Sequence, residues 1–280
     1  MRARFSGGSV VRGTLLTLLS LSVLVPLIWS LSLAFRSNDE IVRLTGLSLH
    51  SFVPERFTLG NFDRLFKAVN MLRVFAVTLF VCLSVTFLSL LVNSAAAYAF
   101  ARFTFHGKNI VFAIIIATMI LPIEILIVPL YRTVKELGLM NRLASLILPF
   151  CATGFGIFFM RQFMAGVPLE LDEAAEIDGC NKLFVFLRIM IPLCRTALVT
   201  LGLIVFLQQW DNFLIPVTFI SNKNLMLLQV AITDIYSHMF FIDTALLFAG
   251  IFVSAVPVIV IFIFLQRYYV VGISSTGIKG

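Results

Sequence analysis

The densest group of acidic side chains in this 280-residue chain lies just before Gly179. Pro168 suits the first turn of a helix, and the acids that follow it, Glu170, Asp172 and Glu173, are favoured near a helix N-terminus. Gly179 is placed to end that helix in a left-handed turn. The pattern therefore predicts a short acidic helix that stops at residue 179.

A second short helix is expected directly after this turn. It begins near Asn181, carries apolar side chains on one face, and is expected to be broken by Pro192. The two helices would form a tight elbow at the membrane surface, because long apolar runs flank them. Small residues would let a partner protein approach closely, and the acids could meet its Arg or Lys side chains. A solvated amphipathic linker is the alternative interpretation.

A second polar group lies within an apolar run near residue 210. Gln208, Asp211 and Asn212 are spaced i, i+3 and i+4, so they are predicted to share one helix face. A charge at the bilayer centre costs about 2.5–3.5 kcal/mol, and such a face should therefore point at the bundle interior or an aqueous path. It would line a path for a hydroxyl-rich solute, with Trp210 at its edge, or it would hydrogen-bond two membrane chains together. The same interpretations apply to two further residues: Glu124 and Asn93.

Sequence patterns for catalysis and nucleotide binding are missing. Gly107-Lys108 is the only Gly-Lys pair, and no glycine precedes it at the spacing of a phosphate-binding loop. No metal-ligand spacing joins the four Cys and three His residues. The chain is therefore not expected to be an enzyme alone or to hold a metal or cofactor, and active transport would need energy from a partner.

The composition indicates lipid as the main solvent. Hydrophobic residues make up 60% of the chain and charged residues only 12%, about half the share that is usual in soluble domains. The net charge of +7 comes from scattered basic residues, which favours contacts with anionic lipid over nucleic-acid binding. Six runs are long enough to cross a membrane as helices: Gly13–Phe35, Val74–Ala101, Asn109–Tyr131, Leu143–Met160, Thr196–Ile220 and Thr244–Gln266.

The six runs predict a single all-α membrane domain over residues 1–280, with both termini on one side. The polar segments between the runs are the expected loops and tail: 36–73 and 221–243 on the outside, and 161–195 and 267–280 on the inside. Basic residues are almost evenly divided between the two sides, so charge does not decide the orientation.

The acidic helix carries a resemblance to a known family. The triplet EAA at residues 173–175, Gly179, and the sequence IMIP at residues 189–192 have the spacing of the EAA motif of ABC-importer permeases. The extended form EAAEIDG resembles the carbohydrate-uptake branch that includes the maltose and glycerol-3-phosphate importers. The sequence WDNFLIP at residues 210–216 is similar to a second family motif, with Ile215 in place of a Trp. The chain most resembles the shorter permease subunit of maltose-type importers.

The resemblance implies a type I ABC-importer architecture in the bacterial inner membrane, with both termini and the elbow in the cytoplasm. It implies three kinds of partner besides lipid: a second permease, two ATP-binding subunits that hold ATP and Mg, and an external solute-binding protein. It assigns coupling to the ATPase to six residues: Glu173, Ala174, Ala175, Asp178, Gly179 and Pro192. The solute is expected to be a sugar or sugar-like molecule. A polyol or a glycerophosphodiester, or a stand-alone secondary transporter, are the alternatives.

Overall fold

The structure is a computed structural model that describes residues 7–44, 46, 49–237 and 243–277. All regular secondary structure within these residues is helical, which confirms the predicted all-α fold. In chain order the α-helices are α1 (Gly7–Ala34), α2 (Asn38–Val42), α3 (Gly60–Ala68), α4 (Met71–Arg102), α5 (Lys108–Thr118), α6 (Ile123–Glu136), α7 (Ala144–Ile147), α8 (Gly154–Ala165), α9 (Glu170–Ile177), α10 (Lys182–Val185), α11 (Ile191–Leu193), α12 (Arg195–Trp210), α13 (Leu214–Phe219), α14 (Leu228–Ser237) and α15 (Thr244–Gly277).

Three of these helices are long and apolar enough to cross a membrane unbroken. They are residues Val11–Ala34 of α1, the whole of α4, and Thr244–Phe264 of α15. Three further candidates are helix pairs that pass the same test only together and are bent at a short break: α5 and α6 by 104°, α7–α8 by 43°, and the stretch Lys182–Leu193 with α12 by 79°. Counting each bent pair as one span gives six spans, as the sequence predicts.

The third apolar run is not the single helix that the sequence predicts. α5 ends at Thr118, and α6 begins at Ile123 after Pro122, whose backbone is extended. Proline has no N–H to donate and disfavours the helical conformation in the residue before it. The chain therefore turns sharply at this point.

The fifth run is also shorter than expected. α12 ends at Trp210, and a separate short helix, α13, begins at Leu214. In a continuous helix the ring of Pro216 would clash with the carbonyl of Asn212. The helix therefore breaks before the proline, and the expected span to Ile220 is wrong.

The chain divides into two compact units: Met1–Met71 with Ala231–Pro257, and Leu72–Val230 with Val258–Gly280. In the first unit, the segment after α1 folds onto helix ends of the same unit. Phe35 stacks on Phe57 with ring centroids 4.8 Å apart and contacts Phe252 edge to face. The buried Arg36 pairs with Glu40 at 2.8 Å. The expected outer loop 36–73 is therefore a folded cap that contains α2, α3 and a short 3₁₀ turn.

The second unit has a core of helices around α4. α8 packs against both α5 and α12. The core is filled by fully buried apolar side chains, among them Val85, Met160, Met190 and Leu201. Because α4 contributes to this core along much of its length, it is the natural reference element for the elbow described below.

Two of the expected loop segments are partly helical. The outer loop 221–243 contains α14, and residues 238–242 of it lie outside the described residues. The expected tail 267–280 continues α15 to Gly277, and residues 278–280 lie outside the described residues.

Candidate functional site

The elbow, residues 167–194, begins with α9. Three acids lie in the first turn of this helix, where its exposed N–H groups favour negative charge. Glu170 and Glu173 face outward, whereas Asp172 is buried. Ala175, three residues after Asp172, is buried on the same face. The helix therefore has an inner face that packs on the protein and an outer face that is free.

The turn after α9 is a Schellman motif. The N–H of Gly179 donates to the carbonyl of Glu176 at 3.0 Å, and the N–H of Cys180 donates to the carbonyl of Ala175 at 2.9 Å. Gly179 has a φ of 81°, in the left-handed region, which confirms the predicted helix end. No atom lies within 4 Å of the position that a Cβ would take there. The backbone conformation, and not lack of space, is what favours glycine.

The second arm starts at Asn181, whose side-chain oxygen accepts a hydrogen bond from the N–H of Phe184 at 2.8 Å. α10 is followed by a π-helical turn at Phe186–Met190 and then by α11. Pro192 lies inside α11, and the break comes after it, at Cys194. The expectation that Pro192 breaks the helix is therefore wrong, since the wider π turn before it relieves the clash that a proline makes in a regular helix.

The tip of the elbow, defined here as residues 173–184, presents a mixed acidic and apolar surface. Ile177 is 86% exposed, and Leu183 and Phe184 are exposed beside it. Exposed apolar groups of this size next to charges are typical of a protein interface. Five of the six predicted coupling residues are exposed: Glu173, Ala174, Asp178, Gly179 and Pro192. The sixth, Ala175, packs inward.

A buried ion pair anchors the first arm. Arg102, the last residue of α4, places its Nε 2.6 Å from Oδ2 of Asp172, and both side chains are only 6% exposed. Its Nη2 donates to the carbonyl of Val167 at 2.8 Å. One guanidinium therefore holds α9 and the residue that enters the elbow.

The second arm packs on the same end of α4. The rings of Tyr98 and Phe186 have centroids 5.1 Å apart, and both side chains are buried. The two arms are also joined near the tip by an exposed ion pair between Lys182 and Glu176. α4 therefore holds the base of the elbow, and the Lys182–Glu176 ion pair joins the two arms near the tip.

The predicted polar group around residue 210 is not a helix face. α12 ends at Trp210, so Gln208 lies on the helix while Asp211 and Asn212 lie in the break after it. Gln208 and Asp211 are exposed, and the Asn212 side chain accepts a hydrogen bond from the N–H of Ile215 at 3.2 Å. Asn212 thus stabilises the start of α13.

Trp210 lies in the core and not at the edge of a path. It is 1% exposed and stacks on Phe206, with Phe75 edge to face at 5.5 Å. Glu124 is exposed in the first turn of α6. Of the predicted path residues, Gln208, Asp211 and Glu124 are therefore exposed, Asn212 is half-buried, and Trp210 is buried.

Asn93 makes a hydrogen bond within this chain and not between two chains. It is fully buried in α4, and its Oδ1 accepts a hydrogen bond from the N–H of Thr153 at 3.0 Å. Thr153 in turn caps α8 through the N–H of Gly156. A Cβ on Gly156 would lie 2.7 Å from Cγ of Asn93. Asn93 therefore holds the break of the fourth span against α4.

The sequence alone gives no coupling role to Arg102 or Asp172. The one available signal is that Asp172 precedes Ala175 by three residues, which places both on one face of α9. Nothing in the sequence indicates that this face meets Arg102, which lies 70 positions earlier. The pair is found only from the folded structure.

Comparison with known proteins decides the family. Residues 93–273 match the family described as the binding-protein-dependent transport system inner membrane component. The chain belongs to this family. It is therefore a multi-pass permease of the bacterial inner membrane, and it is not a stand-alone secondary transporter.

The similarity of this permease to known proteins, in sequence and in fold, extends over nearly its whole length. It is 32% identical over 256 residues to the arabinooligosaccharides transport system permease protein AraQ of Halalkalibacterium halodurans, with 91% of each chain covered. Its fold matches a chain of a bacterial ABC transporter involved in the import of the acidic polysaccharide alginate, with a TM-score of 0.83, 22% identity, and 96% and 100% of the two chains covered. A second match is to the bacterial alginate ABC transporter in complex with an alginate pentasaccharide-bound periplasmic protein, with a TM-score of 0.64, 15% identity, and 93% and 95% coverage.

Proposed function

We propose that this permease is one of two membrane subunits of an ABC importer that brings an oligosaccharide or a related carbohydrate into the cytoplasm. The observation that carries the proposal is the elbow tip, which exposes acids and apolar side chains on a rigid turn within a chain of this family. ATP is hydrolysed by the partner subunits, and this chain contributes the path and the coupling surface.

The elbow docks on one of two ATP-binding subunits, which hold ATP and Mg. Glu173 and Asp178 contact basic side chains of that subunit, and Ile177 enters an apolar part of a groove on its surface. Ala174 and Gly179 allow the close approach of the partner backbone. This places the elbow, and with it both termini, in the cytoplasm.

The carbohydrate assignment is supported by the relatives and by the exposed polar side chains near the end of α12. The AraQ protein belongs to an arabinooligosaccharide system, and the matched structures belong to an alginate importer. Gln208 and Asp211 offer an acceptor and donors for sugar hydroxyl groups. A polyol or a glycerophosphodiester would also fit this chemistry.

Transport follows from linkage between two sites. ATP closes the ATP-binding subunits and draws two elbows together, one from each permease. The path then opens outward toward a solute-binding protein that has its ligand. ATP and solute bias one two-state element although they bind far apart.

Affinity purification of the tagged permease in mild detergent tests the proposal, with mass spectrometry of the proteins that come with it. We expect a second permease and an ATP-binding subunit. Glu173→Lys should weaken binding of that subunit by about tenfold or more, since a charge-assisted contact contributes about 1.5–3 kcal/mol. Glu136→Lys reverses an exposed charge at the end of α6 and is the control. A permease that purifies alone would contradict the proposal.

A further inference from the structure

The C-terminal end of α4 is the place where both arms of the elbow are held. Arg102 binds Asp172 and the Val167 carbonyl on the first arm, at 2.6 and 2.8 Å. Tyr98, one turn earlier, packs on Phe186 of the second arm. The two anchoring side chains lie one helical turn apart, so a single turn of α4 contacts both arms of the elbow.

The Arg102–Asp172 contact has the properties of a directional link. Both charged groups are buried, so water does not screen them. The guanidinium contacts both Asp172 in the first turn of α9 and the Val167 carbonyl before it, so it holds the start of α9 in position. Asp172 lies next to Glu173, which is exposed at the tip. A displacement of the tip is therefore passed to Arg102 across one turn of helix.

α4 is able to carry such a displacement over a long distance. It is one unbroken helix of 32 residues without a proline, about 48 Å long at 1.5 Å per residue. By contrast, the helices of three pairs meet at bends of 43° to 104°: α5 with α6, α7 with α8, and the second arm of the elbow with α12. A straight helix moves as one body, whereas a bent pair can absorb motion at its break.

We infer that the Arg102–Asp172 ion pair is the link through which movement of the elbow reaches the membrane-spanning helices, with α4 as the rigid element that carries it. Arg102 and Asp172 are positioning residues, and neither touches solute or ATP. The inference rests on the proposed docking of the elbow on an ATP-binding subunit. It adds two residues, separated by 70 positions, to the coupling machinery.

The test follows the far end of α4 while ATP is added to the assembled complex. Leu72, in the first turn of α4, is 80% exposed, and Leu72→Cys is introduced after the four native cysteines are replaced by alanine. The rate of labelling by a membrane-impermeant maleimide is measured with and without ATP plus vanadate. Arg102→Met with Asp172→Leu replaces the buried pair by apolar side chains of similar size, which avoids a lone buried charge.

In the reference protein we expect ATP to change the labelling rate about five- to tenfold, within the range of typical coupling. The double variant should keep its ATP-binding subunit within about twofold and lose the ATP response, because its tip is unchanged. Asp172→Asn, which keeps the side-chain shape, should show a response reduced about threefold, because the attraction between the two buried charges is lost. The matched control is Lys67→Met with Asp63→Asn, which removes an exposed ion pair in α3, outside the elbow, and should respond like the reference.

Each other outcome has a distinct meaning. If the double variant and Asp172→Asn both keep the full ATP response, the pair is not the link. If the double variant loses the ATP-binding subunit in proportion to the response, the pair only supports the shape of the elbow. If the reference shows no response at position 72, α4 does not carry the motion. If the reference purifies without an ATP-binding subunit, the proposed function fails instead.

Discussion

Among the described residues there are two buried arginine–carboxylate pairs, and each lies at or just after the C-terminal end of a spanning helix. Arg36 follows α1 and pairs with Glu40 in the short helix α2. Arg102 ends α4 and pairs with Asp172 in the short helix α9. In both cases the guanidinium also donates to a backbone carbonyl, at 2.7 Å for Arg36 and 2.8 Å for Arg102.

The pairs differ in what they join. Glu40 is only four residues from Arg36, and its carboxylate also accepts a hydrogen bond from the N–H of Glu55 at 2.9 Å. The Arg36–Glu40 pair therefore joins only residues of the same local cap. Asp172 is 70 residues from Arg102, and the pair connects two elements that are separate in the chain. A local closed pair stabilises a fold, whereas a non-local pair between two helices can also transmit movement between them.

The largest expected effect is on the local pair. Arg36→Met leaves the Glu40 carboxylate buried without its cation, which should lower the free energy of unfolding by about 3–5 kcal/mol. The thermal unfolding midpoint of the purified permease in detergent measures this. Arg64→Met is the control, because Arg64 is half exposed in its 2.5 Å pair with Asp243 and should contribute about 1 kcal/mol or less. Equal losses in the two variants would show that burial of the Arg36 pair does not matter.

The contrast between local and non-local features also explains what the sequence could predict. Gly179 was placed correctly because a helix end is a local signal, and the six apolar runs were found because hydropathy is local too. The end of α12 at Trp210 was missed, since the apolar run continues past it and the clash with Pro216 acts four residues away. The Arg102–Asp172 pair could not be predicted, because it depends on how distant helices pack.

The next largest effect concerns the turn of the elbow. Gly179→Ala forces an L-residue to a φ of 81°, at about 1–2 kcal/mol. We expect a small loss of stability and a several-fold loss of the co-purifying ATP-binding subunit. Gly138→Ala is a matched control, because Gly138 has a φ of 67°, also with no atom within 4 Å of a Cβ. Loss of the subunit in both variants would indicate general destabilisation rather than a role of the elbow turn.

α4 also makes a non-local hydrogen bond between uncharged groups, from the N–H of Thr153 to Asn93. A variant of this bond tests whether coupling needs the charges of the ion pair or only a contact between distant segments. Asn93→Ala leaves the half-buried N–H of Thr153 without its acceptor, which should lower stability by about 1–2 kcal/mol in the thermal unfolding measurement. Ser94→Ala in the same turn is the control, because the buried Ser94 hydroxyl makes no hydrogen bond within the described residues. If Asn93→Ala also removed the ATP response at position 72, coupling would not be special to the ion pair.

The smallest effect is expected for the exposed pair that bridges the two arms of the elbow. Glu176→Gln removes the partner of Lys182, and both side chains are about half exposed. Exposed pairs of this kind gain little because water and salt screen them and because ordering two long side chains opposes the attraction. We therefore expect an unchanged thermal midpoint at 0.15 M salt. A clear loss of stability that disappeared at high salt would mean that the tip is held closed by its surface charges. The exposed Lys182–Glu176 pair would then also stabilise the elbow, and burial would not explain a difference in stability between this pair and the Arg102–Asp172 pair.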